Sequence, residues 1–391
     1  MTSEVLDPVR LGVAGLGRGF MLTLPSFRVD PHVRLVACAA PRAESRAAFL
    51  AEFGGSAHDS VEGLASDPNV EAVYIATPHQ LHRAHVETCV AHGKPVLVDK
   101  PLAITLEDAD AMVRAAKTAK VPLITGPAHS FDQPVQAARQ LIKDGTIGTP
   151  RMALAFNYTD FLYRPRRPEE LNTDQGGGVL FSQAIHQIDM IRFLMGARAT
   201  NVTARTGQWD PERPTEGAYM ALIDFEGGAS ASLTYSGYAH FDSDAWMDDI
   251  GELGHIKAKN SHAATRARIE GLGPVAEAAM KGNRTYGAVH APDAAPNPEH
   301  FGPVIVSGPK GDLRLTSKGV ELTDAKGRKF HPTPPDPAPR SPICRALYDT
   351  LRRTAPPTQS GAWGLASLEI VHAILASART KDPIALTRQG N

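Results

Sequence analysis

An α/β protein of two domains is the fold class predicted by this 391-residue sequence, and three observations predict it. Short apolar, β-branched runs alternate with helical periodicity from residue 9 to residue 125. After Gly126 the pattern changes to longer, alternating polar and apolar segments separated by glycine-rich turns. The length itself suits two domains of ordinary size. We therefore expect one domain over residues 1–125 and a second over 126–391.

In the first domain Val9–Ala14 and Val33–Ala39 read as strands, followed by a helix over Pro41–Phe53. A short strand near Ser56–His58, a helical turn at Ser60–Ala65 and a buried strand over Val70–Ala76 follow. His79–Ala91 is helical, and Val96–Val98 is a short apolar strand. Thr105–Ala119 is an amphipathic helix, with Thr105 and Asp108 at capping-box spacing, before a last strand at Val121–Thr125. Six strands with helical crossovers match a doubly wound Rossmann domain.

In the second domain Phe131–Asp144 and Gly178–Leu194 read as helices. Arg151–Tyr158, Asn201–Gln208, Ala218–Phe225 and Ala229–Tyr235 read as strands, the last two joined by Glu226-Gly227-Gly228 as a hairpin. Residues 240–300 carry little periodicity and read as a lid or interface insertion. Strands resume at Pro303–Val306, Asp312–Thr316 and Gly319–Leu322. A Pro-rich linker over Pro332–Pro342 and a helix over Gly364–Ala378 complete the chain.

Composition narrows the function classes. Lys and Arg total 41 against 42 Asp and Glu, a formal net charge of −1. That argues against nucleic acid or an anionic membrane as the main partner, so any positive patch must be local. The three cysteines, Cys38, Cys89 and Cys344, lie too far apart for a zinc spacing, and no metal is expected. They read as small buried residues of a reducing compartment. With no visible signal peptide and no apolar run of membrane-spanning length, the cytoplasm is the expected location.

The first strand runs into Gly12-Val13-Ala14-Gly15-Leu16-Gly17-Arg18-Gly19-Phe20. Glycines there let the backbone approach a pyrophosphate at a helix N-terminus, where N–H groups and the dipole favour anions. Gly15, Gly17, Arg18, Gly19 and Phe20 are the expected contacts, although Phe20 stands where a small residue is usual and a mere tight turn is the competing reading. The second strand ends Cys38-Ala39-Ala40-Pro41-Arg42, without the carboxylate that holds a ribose 2′-hydroxyl. Ala40 and Arg42 then border the ribose, and an Arg42 pairing with a 2′-phosphate favours NADP over NAD. A solvated arginine is the alternative. Thr77 and Pro78 shape the next loop along the cofactor, and His79 is placed to touch it. His82 belongs to the same set, with helix packing as its competing role.

Val96–Val98 opens directly into Asp99-Lys100-Pro101, and ligands of open α/β sheets bind past the carboxyl ends of strands. Asp99 and Lys100 therefore face the cofactor, and Lys100 is a candidate catalytic group. As a base its amine must fall several units below ~10.4; charged, it can donate to a developing alkoxide. A rim lysine paired with Asp99 is the bland reading. Further on, Ser182, His186 and Asp189 share a helical face at i, i+4 and i+7, where a core helix would be apolar. Ser182, Gln183 and His186 read as a substrate wall, with His186, of reference pKa near ~6.5, as the natural general base. Arg164, Arg166 and Arg167 sit in one Pro-stiffened loop and present forks for carboxylates, or form a solvated basic turn.

Together these residues resemble the Gfo/Idh/MocA oxidoreductase family. Asp99-Lys100-Pro101 is similar to its Glu-Lys-Pro motif, and Phe131-Asp132-Gln133-Pro134, Gly145-Thr146-Ile147-Gly148 and the glycine-led run to His186-Gln187-Ile188-Asp189 recur at the expected places. The resemblance implies an NAD(P)-dependent dehydrogenase whose second domain is α+β with an open, mostly antiparallel sheet, forming a homodimer or homotetramer. A narrower resemblance is to phthalate 4,5-cis-dihydrodiol dehydrogenases, on Gly126–Asp132, Asn157–Gln175, Trp209–Gly217 and Tyr235–Asp242. It implies oxidation of a small anionic dihydrodiol to 4,5-dihydroxyphthalate, gives the arginine loop two carboxylates to hold, and makes His129 a lesser wall residue. A sugar or cyclitol dehydrogenase and a non-catalytic dinucleotide sensor are the alternatives. Asp99 replaces the usual Glu, Ser182 stands where many members place an aspartate, and His129-Ser130 replaces a polar-plus-arginine pair.

Overall fold

The computed structural model describes residues 6–282, 285–287, 295–334, 338 and 340–390. Residues 283–284 and 288–294 of the expected insertion, and 335–337 and 339 of the expected linker, lie outside the described residues. The chain forms two compact units, and neither is continuous: residues 1–127, 282–294 and 337–365 form one, and 128–281, 295–336 and 366–391 the other. The expected division into 1–125 and 126–391 thus differs in two returns of the chain to the first unit.

In the first unit β1 (Val9–Ala14), β2 (Val33–Ala39), β3 (Ser56–His58), β4 (Ala72–Ile75), β5 (Val96–Val98) and β6 (Leu123–Thr125) form a six-stranded sheet in the order β3-β2-β1-β4-β5-β6. Every pairing is parallel. Helices α1 (Arg18–Val29), α2 (Ala43–Phe53), α3 (Val61–Ser66), α4 (His82–Ala91) and α5 (Leu106–Ala119) provide the crossovers. The strands are nearly all apolar because both faces are covered, and Val9, Leu11 and Val13 are fully buried. Thr105 caps α5, its hydroxyl accepting from the Asp108 N–H at 3.1 Å. The strand order reverses between β1 and β4, so the loops after these two strands flank the switch point where such sheets bind dinucleotides.

The second unit contains α6 (Gln133–Lys143), β7 (Met152–Tyr158), α7 (Ile185–Met195), β8 (Ala199–Gly207), β9 (Ala218–Phe225), β10 (Ala229–Ser236), α8 (Ser261–Ile269) and α9 (Pro274–Gly282). Then come β11 (Val304–Gly308), β12 (Gly311–Thr316), β13 (Gly319–Asp324), β14 (Gly327–Pro332) and β15 (Ile384–Ala385). The sheet order is β14-β13-β12-β11-β7-β10-β9-β8-β15, antiparallel except at β7–β10. Register separates its faces. Ala153, Ala155, Ala231, Leu233, Ile223, Val304, Val306 and Leu313 point inward and are buried, whereas Met152, Leu154, Met220, Leu222, Ile305 and Phe330 are exposed on the other side.

Three elements depart from the sequence reading. The stretch 240–300 is not structureless: it holds α8 and α9. Their buried positions are His262, Thr265 and Ile269 in α8 and Glu277 in α9, so the hydrophobic period that signals a helix is missing. The expected linker ends in a helix over Ser341–Arg352, with Pro342 in its first turn, where proline is compatible with a helix. The last helix spans Gly361–Thr380 and is long and apolar enough to cross a membrane by length and composition, but most of it is buried inside the protein.

Candidate active site

The glycine loop after β1 is built for close approach. Gly15 has φ +93°, and a Cβ there would lie 2.8 Å from the Ala76 carbonyl oxygen at the end of β4. Gly17 is the N-cap of α1 and, its chain neighbours aside, no atom of the described residues lies within 4 Å of a Cβ position there, while a Cβ on Gly19 would collide with the Asp99 carboxylate. The first turn of α1 carries no acidic residue, and Arg18 is exposed there. An open glycine backbone at a helix N-terminus, beside the switch point, fits a dinucleotide pyrophosphate. Gly15, Gly17, Arg18 and Gly19 lie in this loop and the first turn of α1. Phe20 does not face the loop's open side: it is fully buried, its ring edge-on to Tyr286 at 5.3 Å, and serves as core.

The β2–α2 turn is tied down by its own arginines. Arg46 Nη1 donates to the Ala40 and Pro41 carbonyls at 2.7 and 2.9 Å. Arg42 Nη2 donates to Ser45 Oγ at 2.8 Å and to Thr285 Oγ1 at 2.5 Å. The Tyr286 N–H donates to the Leu16 carbonyl at 3.2 Å, so this return of the chain lies against the glycine loop. Arg42 is exposed, as the alternative reading has it, yet its guanidinium is held by the Ser45 and Thr285 hydroxyls, which accept from it.

Past β4, Thr77 Oγ1 bonds His85 Nδ1 at 2.9 Å, and Pro78 leads into a short 3₁₀ turn over His79–Leu81. His82 departs from expectation. It is fully buried, with Nδ1 3.1 Å from the Pro101 carbonyl and Nε2 3.0 Å from that of Thr77, and burial pushes it toward the neutral form. It is a strut between the loops after β4 and β5, whereas His79 is half-buried in the short 3₁₀ turn. Lys100 is half-buried, and its N–H donates to Asp99 Oδ1 at 2.9 Å.

In the second unit a π-helical turn over Leu180–Ala184 precedes α7. Such turns favour functional sites because the wider helix re-aims its side chains. Ser182 is half-buried in this turn, Gln183 is buried in it, and His186 follows in the first turn of α7. Asp189, one turn on, accepts from the Ser130 N–H at 3.1 Å and fixes the 3₁₀ turn His129–Phe131 against α7. That contact brings the His129 and His186 rings to 4.6 Å between centroids at an interplanar angle of 67°, with Phe301 4.8 and 4.9 Å from them. His129 Nδ1 is 2.6 Å from Asp132 Oδ2, and its Nε2 is 3.8 Å from Glu252 Oε1. Burial alone would lower the His129 pKa, but the Asp132 and Glu252 carboxylates outweigh it and push it up to about 10.

The three loop arginines separate. Arg164 is the one that joins the site: Nε donates to Asp160 Oδ1 at 2.9 Å, and Nη1 is 3.9 Å from Glu252 Oε2. Arg166 is buried and turned inward, donating twice to the Phe161 carbonyl at 3.2 and 2.5 Å, its guanidinium 3.6 Å over the Phe161 ring. Its N–H meets Glu277, which is itself in a buried bidentate pair with Arg213 at 2.9 and 2.7 Å. Arg167 is on the exposed surface beside Glu169 at 3.5 Å. Two of the three expected clamps are thus structural or solvated.

Glu252 and Phe301 were not singled out from the sequence, and Asp132 entered only as part of two motifs, without a role of its own. Glu252 offers one signal, standing in Gly251-Glu252-Leu253-Gly254, a tight turn in which Gly254 has φ +78°.

Residues 9–126 match the family described as "Oxidoreductase family, NAD-binding Rossmann fold", and residues 135–257 match the "GFO/IDH/MocA C-terminal domain". A 1-carboxy-3-chloro-3,4-dihydroxycyclohexa-1,5-diene dehydrogenase of Comamonas testosteroni is 44% identical, over 94% of each chain. The chain belongs to the Gfo/Idh/MocA oxidoreductase family. A trans-1,2-dihydrobenzene-1,2-diol dehydrogenase of Mus musculus is 29% identical over 67% of this chain and 78% of its own. Among solved structures, a Bordetella bronchiseptica RB50 protein described as a dehydrogenase superposes with a TM-score of 0.92 at 36% identity, covering 97% of this chain and all of that one. As a family member the chain is an oxidoreductase with an NAD-binding Rossmann unit.

Proposed function

We propose that this oxidoreductase oxidises a carboxylated cyclic cis-dihydrodiol, phthalate 4,5-cis-dihydrodiol to 4,5-dihydroxyphthalate, with NADP taken in preference to NAD. The observation that carries the substrate class is the identity to a dehydrogenase of a carboxylated dihydroxycyclohexadiene, spanning nearly all of both chains. The cofactor would lie on Gly15, Gly17, Arg18 and Gly19, with Ala40, Arg42, Thr77, Pro78 and His79 along it and Asp99 and Lys100 at its far end. When bound, it accepts hydride from the carbinol carbon. Lys100 and His186 are the two groups suited to the hydroxyl proton, and His129, Ser182 and Gln183 are wall residues beside His186. The product ketone tautomerises to a catechol, and aromatisation drives the oxidation.

Arg164 is the carboxylate clamp in this reading. Its side chain stays 33% exposed, while Arg166 is buried and has spent its fork on Phe161. The apolar outer face of the second sheet, with Met152, Leu154, Met220 and Leu222, supports a homodimer or homotetramer built through that face. The experiment is turnover by purified protein with NAD⁺ or NADP⁺ and a panel of dihydrodiols, inositols and sugars, read at the reduced-nicotinamide absorbance. Oxidation of carboxylated dihydrodiols is expected. Turnover confined to sugars or cyclitols overturns the substrate class, and cofactor binding without any turnover overturns the enzymatic reading in favour of a sensor.

A further inference from the structure

We propose that His129, His186 and Glu252 form a binding site for a divalent transition-metal ion of the zinc class. One nitrogen from each imidazole and one carboxylate oxygen lie within 4.8 Å of one another. Around a tetrahedral ion with bonds of ~2.0–2.1 Å, ligand atoms stand about 3.3 Å apart, so shifts of about an ångström close the set. Both histidines are buried, at 4% exposure each.

The surroundings have the character of a supporting shell. Asp132 Oδ2 holds His129 Nδ1 at 2.6 Å, which turns Nε2 toward Glu252 and reproduces the carboxylate–histidine–metal arrangement. Glu252 divides its oxygens, Oε2 toward Arg164 and Oε1 toward His129. Its turn is fastened by His300, whose Nε2 is 2.8 Å from the Ile250 carbonyl and whose N–H donates to the Glu252 carbonyl at 3.3 Å. Phe301 then packs on both imidazoles and lowers the local dielectric.

The donor set selects the ion. Two imidazoles and one carboxylate suit zinc, iron(II) and their neighbours, whereas magnesium and calcium require mostly oxygen. Three protein ligands leave further coordination positions, the pattern of a site that accepts water or a small oxygen ligand such as a vicinal diol. The proposal goes beyond the dehydrogenase reading, because binding of the ion does not require turnover; with the ion bound His186 is a ligand, and Lys100 is then the group left for the hydroxyl proton. The competing account of the same geometry is an imidazolium at His129 bridging two carboxylates, which leaves no place for a cation.

The test is equilibrium dialysis of chelator-treated full-length protein against Zn²⁺, together with the visible absorption of added Co²⁺. One Zn²⁺ per chain is expected, with a cobalt spectrum of low coordination number. Glu252→Gln and His129→Ala should weaken binding at least tenfold, and Asp132→Asn about 10–100-fold. Excess Mg²⁺ should not displace the ion. Circular dichroism identifies folded variants, and the isosteric Glu252→Gln decides if His129→Ala does not fold. Absence of stoichiometric Zn²⁺, competition by Mg²⁺, or folded variants that bind like the parent would each overturn the site. Zinc binding without oxidation of any dihydrodiol would leave this site standing while removing the proposed function.

Discussion

Arg166 and Arg164, two positions apart in one loop, should respond to substitution in opposite ways. Arg166→Met keeps the apolar stem and removes the guanidinium that donates to the Phe161 carbonyl and covers its ring at 3.6 Å. A charge-assisted hydrogen bond contributes ~1.5–3 kcal/mol, and the two donors share one acceptor, so they count as about one such bond. A desolvated cation–π contact adds ~0.5–2 kcal/mol. The expected loss is therefore about 2–5 kcal/mol of stability, with kcat/KM of the folded fraction falling equally for carboxylated and decarboxylated dihydrodiols. Arg164→Lys keeps the charge and loses the fork, so stability should change little. Its kcat/KM for the carboxylated substrate should fall ~10–100-fold relative to the decarboxylated analogue, the equivalent of one charged hydrogen bond. Denaturant unfolding and paired kinetics on both analogues provide the assay. An Arg166→Met protein as stable as the parent, or one that discriminates the two analogues while Arg164→Lys does not, would refute the division of roles.

Four further outcomes follow from the geometry. Gly15→Ala should lose cofactor affinity by tenfold or more in a fluorescence titration, because the φ of +93° and the Ala76 carbonyl leave no room for a methyl; unchanged affinity would detach the loop from cofactor binding. Ala40→Asp should shift the NADP/NAD ratio of kcat/KM toward NAD, and no shift would remove Arg42 from the 2′-phosphate. Lys100→Met should abolish turnover while sparing cofactor affinity, whereas retained activity would exclude the lysine from the chemistry. Burial disfavours charge on Glu369, but hydrogen bonds from Gln389 and the Thr387 and Arg388 N–H groups outweigh it and lower its pKa. Its contribution is then present above the unfolded carboxylate value near ~4.3 and lost as pH falls through the folded value. Glu369→Gln should be less stable at pH 7 and show a shallower decline in acid by denaturant unfolding; parallel profiles would contradict this.

The first unit was legible because its signals are local. Strands buried on both faces read as continuous apolar runs, and the hydroxyl of Thr105 caps its helix as the spacing suggests. Elements whose inward positions are polar were not legible: α9 buries Glu277, and it is the distant Arg213, together with the Arg166 N–H, that makes that position compatible with an interior. The same limit applied at the site. Lys100, His129 and His186 stand out by residue type and position, whereas Glu252 acquires meaning only when its turn meets His129. Phe20 and His82 were misplaced because a motif fixes a position along the chain but not the direction of a side chain. Arg166 was misplaced because the carbonyl that takes its fork lies in its own loop, five residues back.

The central claim is that hydride leaves a ring carbinol of a carboxylated cis-dihydrodiol and arrives on the nicotinamide. Substrate deuterated at the two carbinol carbons, incubated with the protein and NADP⁺, tests it by mass analysis of both products. One deuterium on the reduced nicotinamide for each catechol released is the predicted result. Catechol without deuterium on the cofactor, or reduced cofactor without catechol, would contradict it.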